Sequence, residues 1–515
     1  MQIYPIQPSF TAGECVELGV QPRRRFSIAI YQQQHDEALT SLSGIIVTAA
    51  KDVTATLING KYVFQSSGDS APVSFDKDWM WPTITMKPHT SMLESGAYVA
   101  VAYEVSPSGE PLTDLGRRCS MHQPVFGCPP DSDNMALLIA RPRTPSALIA
   151  YVVPTATYHA YNSTGGGCYY RDPIHRTLPA LKVSLRRPGG GLGAQLGEPT
   201  DPYDPRSPRQ QFTHWDAKFI RWLRVQNLAC DFYTDLDLHR ATDLNLANYR
   251  CMLSVGHHEY WSQEMRDQVA RFIAGGGNLA VFSGNTCFRP IDFGPQTQHG
   301  DMKEMNRLGE NWPDFNESDL IGLSYGYGGG KFGIWRRLRG GWIKCKRDPI
   351  GFTVQQENHW VFAGTGLKDG QTFGAEDHLV GYEVDGVPPI PNGFNTLAKT
   401  RQLVGWEIGG IGALGIYQPE LGASPKQGLV FNCGTTDWAR VLIDPNAKSH
   451  PVVAQITRNV IRKFLALDSH HASQQDSSAG DIAARTRGDC EALEDLQGGD
   501  VMETESGGSP RLQRT

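Results

Sequence analysis

Residues 251–283 read CMLSVGHHEYWSQEMRDQVARFIAGGGNLAVFS, and the succession of patterns within them decides the fold class. The run Cys251-Met252-Leu253-Ser254-Val255 has the length and apolar density of a buried strand. Ser262 then stands where a helix N-cap belongs, Glu264 lies in the first turn, and Met265, Val269, Phe272 and Ile273 recur on one face. Gly275-Gly276-Gly277 stops that helix, and Asn278 to Ser283 reads as the next strand. Strand, helix, strand is the rhythm of a parallel crossover.

Working outward, Ala147 to Val153 reads as a strand and Asp216 to Val225 as a helix with Phe219, Ile220 and Leu223 on one face. Ala229 to Tyr233 reads as a further strand, and Pro451 to Leu467 as a closing helix. The set predicts an α/β domain over 134–467 with a mostly parallel, doubly wound sheet, whose ligands bind at the carboxyl ends of the strands. Between Phe293 and that last helix, Trp360-Val361-Phe362, His378 to Val384 and Leu429 to Cys433 read as β-rich segments. Ahead of it, residues 1–130 hold short β-rich runs bounded by Gly, Pro or Ser, among them Phe26 to Ile30, Lys61 to Phe64 and Ala97 to Tyr103. They predict an all-β sandwich module. Residues 468–515 lack Phe, Trp and Tyr and are rich in Ser, Gly, Gln and charge, which predicts a disordered polar tail.

The 515-residue chain is 40% hydrophobic and 20% charged, the composition of a globular protein with a large core. Lys and Arg number 48 against 54 Asp and Glu, a net charge of -6, so no basic field is present to hold a nucleic acid. No apolar run reaches the roughly 18 residues of a membrane helix, and the first residues do not read as a signal peptide. These features predict a soluble cytoplasmic protein. The ten cysteines form no C-x-x-C pair, and Cys230 and Cys251 read as small buried hydrophobes.

Three clusters follow predicted strands. Thr157 to Gly167, with Tyr158, His159 and Tyr161 ahead of three glycines, reads as a loop that lets backbone approach a ligand. Gly256-His257-His258-Glu259-Tyr260-Trp261-Ser262 sets two imidazoles and a carboxylate on a strand-to-helix turn, with His257 and Glu259 on one side. It is neither an H-E-x-x-H zinc signature nor a G-x-S-x-G nucleophile elbow. Ser283-Gly284-Asn285-Thr286 ends the next strand, where Asn285 is suited to place an amide N–H on a substrate carbonyl.

These motifs, together with Pro154 to Asn162, Arg221-Trp222-Leu223, Thr234 to His239, His359 to Leu367 and Asn432 to Trp438, resemble the N,N-dimethylformamidase large (β) subunit family, above all its C-terminal catalytic domain. The resemblance runs from about Ala136 to Leu467. It implies a domain like the class I glutamine amidotransferase fold without the cysteine nucleophile. It also implies a hydrolase of linear amides working at a mononuclear ferric (Fe3+) site held by two tyrosines and a glutamate. By motif, Glu259 matches the glutamate and Tyr161 one tyrosine, while His257 and Asn285 match pocket residues that handle protons and orient the amide. Glu383 matches a further acidic residue. The stretch Ser184-Leu185-Arg186-Arg187-Pro188-Gly189 has no tyrosine after its Arg-Pro, so Tyr203 completes the implied ligand set, with Tyr170 as the other nearby phenol.

A small-molecule amide is the implied substrate, without nucleic acid or membrane. The family enzyme works with a small partner subunit, and a homo-oligomer is the other assembly this chain admits. Two rival readings follow from the missing Arg-Pro-Tyr tyrosine and from the β module: a non-catalytic scaffold that kept the fold, and a carbohydrate-binding or carbohydrate-processing protein.

Overall fold

The structure is a computed structural model that describes residues 1–466 except 34–37, 42–45, 50–51, 60, 69–72, 88–93, 122–133, 171–177, 194–199, 202–203, 209, 297–301, 314–315, 333–334, 339–340, 345–347, 390–392 and 420–426. Residues Met1–Leu465 form one compact unit of mixed α/β structure in which sheet predominates. The tail expected over 468–515 lies outside the described residues.

At the centre is a nine-stranded sheet. In chain order its strands are β1 (Ile149–Val153), β2 (Asp231–Thr234), β3 (Cys251–His257), β4 (Asn278–Gly284), β5 (Phe352–Val354), β6 (Thr372–Phe373), β7 (Asn395–Gln402), β8 (Ile411–Tyr417) and β9 (Val430–Asn432). They are ordered β2-β1-β3-β4-β9-β8-β7-β5-β6. Strands β2, β1, β3, β4 and β9 are mutually parallel, whereas every pairing from β9 through β8, β7 and β5 to β6 is antiparallel. The sheet is therefore mixed, not mostly parallel. Its parallel half comes from the strand–helix alternation before Phe293; its antiparallel half comes from later segments whose short strands lack a periodic signal.

The helices follow from their patterns. α1 (Thr155–Tyr161) follows β1, α2 (Asp216–Val225) precedes β2, and α3 (Asp235–Arg240) starts at the capping threonine Thr234. α4 (Gln263–Ala274) is capped by Ser262, whose side chain accepts from the Met265 amide, and it buries Met265, Val269, Phe272 and Ile273. α5 (Trp438–Ile443) and α6 (His450–Phe464) close the domain. Two expectations fail locally. Thr155–Tyr161 is helical where a loop was read, because six of its seven residues are buried against the sheet and packing outweighs its poor propensity. Trp360–Phe362 is a 3-10 turn capped by the His359 side chain, not a strand, and His378 to Val384 yields strand only at Glu383–Val384.

The front of the chain forms a four-stranded sheet (Ile3–Pro5, Val16–Val20, Thr83–Met86, Ile46–Ala49) and a seven-stranded one that includes Arg25–Gln32, Gly96–Glu104 and Met135–Arg141. Ile3, Leu18 and Val20 of the first pack on Ile28, Ile30, Ala100 and Leu138 of the second. The opposite face of the larger sheet, with Val99, Val101, Leu137 and Ile139, shares a core with Phe219, Ile220 and Leu223 of α2. Gly96–Glu104 is thus buried on both faces, which is why it reads as a continuous apolar run.

Candidate functional site

β1 leads by way of α1 and α2 to β2 on one side, while β3 leads through α4 to β4 on the other. The connections part between β1 and β3, and a crevice opens there beyond the carboxyl ends of the strands. Tyr161 ends the helix after β1, His257 ends β3, Glu259 follows it, and Asn285 follows β4. Glycines make these approaches possible. Gly256 has φ +72°, and a Cβ on it would lie 2.4 Å from Trp215 Cβ. A Cβ on Gly284 would lie 2.7 Å from the Glu383 carbonyl oxygen.

Phenols surround one carboxylate. Tyr161 donates its hydroxyl to Glu259 Oε2 at 2.9 Å, and Tyr170 donates to Oε1 and Oε2 at 2.7 Å each. Tyr260 donates to the Tyr170 hydroxyl at 2.8 Å, and the Tyr161 and Tyr170 rings stack with centroids 4.2 Å apart. Glu259 is held from behind by Thr157 of α1, whose hydroxyl accepts from the Glu259 and Tyr260 amides at 3.0 and 3.2 Å. Arg289 Nε lies 3.6 Å from Glu259 Oε1.

Beside the phenols, His257 Nε2 is 2.8 Å from Glu383 Oε2 and 3.5 Å from Glu259 Oε2. Its Nδ1 meets Gln210 Oε1 at 2.5 Å; a carboxamide oxygen can only accept, so Nδ1 carries a proton. Asn285 donates Nδ2 to Glu383 Oε2 at 3.0 Å and sits 3.2 Å from His257 Nε2. The expectation that this N–H is aimed at a substrate carbonyl therefore gives way to an internal bond.

The site thus brings together Tyr161, Tyr170, Glu259, His257, Asn285 and Glu383, whereas Tyr203 lies outside the described residues. The N,N-dimethylformamidase beta subunit-like C-terminal family matches residues 52–449, most of the chain. The chain belongs to this family. No curated protein matches this dimethylformamidase beta subunit-like chain. Among solved structures it is similar to a cold-adapted beta-galactosidase from Rahnella sp. R3, at 11% identity and a TM-score of 0.27, over 49% of this chain and 27% of that one. A beta-galactosidase from Bacillus circulans sp. alkalophilus gives 12% identity and 0.26, over 47% and 26%. The chain spans about a quarter of the length of those enzymes.

Electrostatics sort the carboxylates of this dimethylformamidase-like site. Burial raises Glu259 above the usual range, and the charge of Glu383 adds to that against the pull of His257, Tyr170 and Arg289. Burial also works to raise Glu383, but the His257 charge and hydrogen bond, Lys331 and the Asn285 amide outweigh it and hold Glu383 low. For His257, burial favours the neutral ring, yet Glu383 and Glu259 prevail and raise it. Burial and then the Glu259 charge lift the hydroxyls of Tyr161, Tyr170 and Tyr260 well above the ordinary phenol, so they remain donors to Glu259. Among the described residues no group of three or more His, Cys, Asp and Glu is arranged to hold a metal ion, and the oxygen cluster here adds phenols to a single carboxylate.

Other residues went unread in the sequence. The stretch searched for a tyrosine instead supplies Arg187, a buried guanidinium that clamps the Tyr161 loop through the carbonyls of His159, Thr164 and Gly167 at 2.6, 3.2 and 3.0 Å. Burial without a carboxylate partner lowers it to about 10. Tyr170 returns to the site because Tyr169 N donates to Ala160 O at 2.9 Å. Gln210 and Tyr260 carried no spacing signal, although Tyr260 stood beside Glu259 in the most informative run.

Proposed function

We propose that the protein is a metal-dependent hydrolase of a small carboxamide or related C–N bond, resembling N,N-dimethylformamidase, and that its fold belongs with the class I glutamine amidotransferase-like domains. The observation that supports the reading most is the convergence of the Tyr161 and Tyr170 hydroxyls on Glu259 beside the His257–Glu383 pair. Two phenols and a carboxylate are hard oxygen donors suited to ferric iron. Tyr161, Tyr170 and Glu259 would hold the ion, with Tyr170 taking the place considered for Tyr203. When bound, iron supplies a Lewis acid that draws charge from a carbonyl oxygen.

The chain's own residues do the rest. Glu383, kept anionic by His257, accepts a proton from the attacking water. His257, cationic between two carboxylates and fixed through Nδ1 by Gln210, protonates the leaving nitrogen. Glu383 then returns its proton to His257 across their 2.8 Å contact, and the pair is reset. The stacked Tyr161 and Tyr170 rings form an apolar wall against the reacting carbon. We further propose that the protein acts in the cytoplasm, either with a small partner subunit or as a homo-oligomer.

Iron content and the visible spectrum of the purified protein test the ligand set. Near one iron per chain with a tyrosinate-to-iron band is expected; Glu259→Gln should abolish it, and Tyr170→Phe should shift or remove it while Tyr203→Phe leaves it intact. A band lost in Tyr203→Phe and kept in Tyr170→Phe would transfer the second ligand to Tyr203. His257→Ala should keep the iron and lose roughly 10²- to 10⁴-fold in rate. Iron-free protein that takes up no added iron would favour the scaffold reading.

A further inference from the structure

Asn285 is 3% exposed, and its two ends are treated differently. Its Nδ2 donates to Glu383 Oε2 at 3.0 Å, while among the described residues its Oδ1 is buried with no hydrogen-bond partner. Turning the amide over does not relieve this, because Oδ1 would then face a carboxylate oxygen, acceptor against acceptor. The backbone offers no escape either. Asn285 sits at φ +53°, and its N–H is held by Asp385 Oδ1 at 2.8 Å. A fixed, desolvated carbonyl oxygen is thus set beside His257 and Glu383 with its hydrogen bond unmade, which is costly unless something supplies a donor.

We infer that Asn285 Oδ1 receives an N–H of the bound amide, and that the site therefore selects primary or secondary carboxamides over fully N,N-dialkylated ones. The inference rests on the hydrolase reading above and names its substrate class. The chemistry is consistent with the acid–base pair: an amide nitrogen steered by its own N–H toward Asn285 lies next to His257, the group that protonates it on leaving. An N,N-dialkyl amide brings a methyl where the acceptor expects hydrogen, leaving Oδ1 unpaired in a dry site. Sites built around a buried polar group reject the analogue that cannot pair with it far more strongly than an apolar pocket rejects an extra methyl.

The test is ligand-observed NMR titration of the iron-loaded protein with formamide, N-methylformamide and N,N-dimethylformamide, together with hydrolysis of the same three. N-Methylformamide should bind roughly 5- to 100-fold more tightly than N,N-dimethylformamide, the cost of a buried acceptor left unmade. In Asn285→Gly, which suits the positive φ, the ratio should fall to about one. Equal binding of the two by the wild-type protein overturns the inference whether or not the glycine variant folds, as does an unchanged ratio in a folded Asn285→Gly. Hydrolysis of all three with no N–H preference in binding leaves the hydrolase reading standing without it. A preference in binding with no hydrolysis sustains the inference and removes the hydrolase reading, and absence of binding by all three overturns both.

Discussion

At the scale of the residue, the buried carboxyls outside the reacting pair set the protein's response to pH. Burial, then Glu317 and Glu383 nearby, push Asp385 up to about 8, and burial pushes Asp216 up to about 7 against the lowering effect of the Tyr158 and Tyr151 hydroxyls. An acid whose folded pKa is raised binds its proton more tightly when folded. Its contribution to stability is complete below the unfolded value of 3.8 and is lost as pH rises through about 8. Asp385→Asn keeps an oxygen to accept from the Asn285 amide and removes the titration. Thermal melts from pH 5 to 9 should therefore fall more steeply for wild type than for Asp385→Asn, and parallel curves would contradict the neutral Asp385. A second residue-scale expectation concerns Gln210, which touches His257 and acts through it. Gln210→Ala strands a buried N–H, so the His257 imidazole pKa, followed by NMR, should move down, with a fall in kcat larger than any change in KM. An unmoved imidazole titration would reduce Gln210 to packing.

At the scale of the element, α4 shows what the sequence makes legible. Its cap, apolar stripe and glycine stop are each local, and Ser262 forms the bonds expected of it: the hydroxyl accepts from Met265 N at 3.3 Å and lies 2.8 Å from His239 Nδ1. Ser262→Ala should cost about 1 kcal/mol. The loss should appear as faster hydrogen exchange at the first-turn amides of α4, with protection in α6 unchanged. The same local logic located β1, β3, β4, α2 and the closing helix to within a few residues, and it put His257 and Glu259 on one side of a turn. It misread α1, whose threonines and tyrosines favour extended chain and which is helical only because the sheet buries it. It missed the hairpin of β7 and β8, where bulges break the alternation that marks a strand. Tyr170 could be named as a neighbour in sequence but not as a partner of Glu259, because its return rests on the backbone bond from Tyr169 to Ala160 and on the Arg187 clamp. Those contacts are long-range and leave no period to read.

At the scale of the molecule, the front sheets and the α/β region are joined by a common core, with consequences for the site itself. Alternate residues of Met135–Arg141 face opposite ways: Ala136, Leu138 and Ala140 enter the core between the two front sheets, while Leu137 and Ile139 enter the core of the central sheet. Leu137 also lies under the 189–193 loop, where its Cβ would be 3.3 Å from a Cβ on Gly191, and its amide donates to Gly190 O at 3.4 Å. That loop follows Arg187, whose guanidinium fixes the backbone on either side of Tyr161. A cavity at Leu137 therefore weakens both cores at once and loosens the support of a site phenol. Leu137→Ala should cost about 2–5 kcal/mol. Because no surface separates the two regions into independent units, the loss should shift one transition and not split it. Fluorescence of Trp79 and Trp81 in the front, near-ultraviolet dichroism of the α/β aromatics and, in iron-loaded protein, the visible band should lose signal at one common, lowered midpoint. A front that melts first while the rest holds its midpoint would show that the shared core is packing without cooperativity. Coincident midpoints would mean that a chain starting at 134 cannot fold, since Gly96–Glu104 is the strand on which Met135–Arg141 is paired.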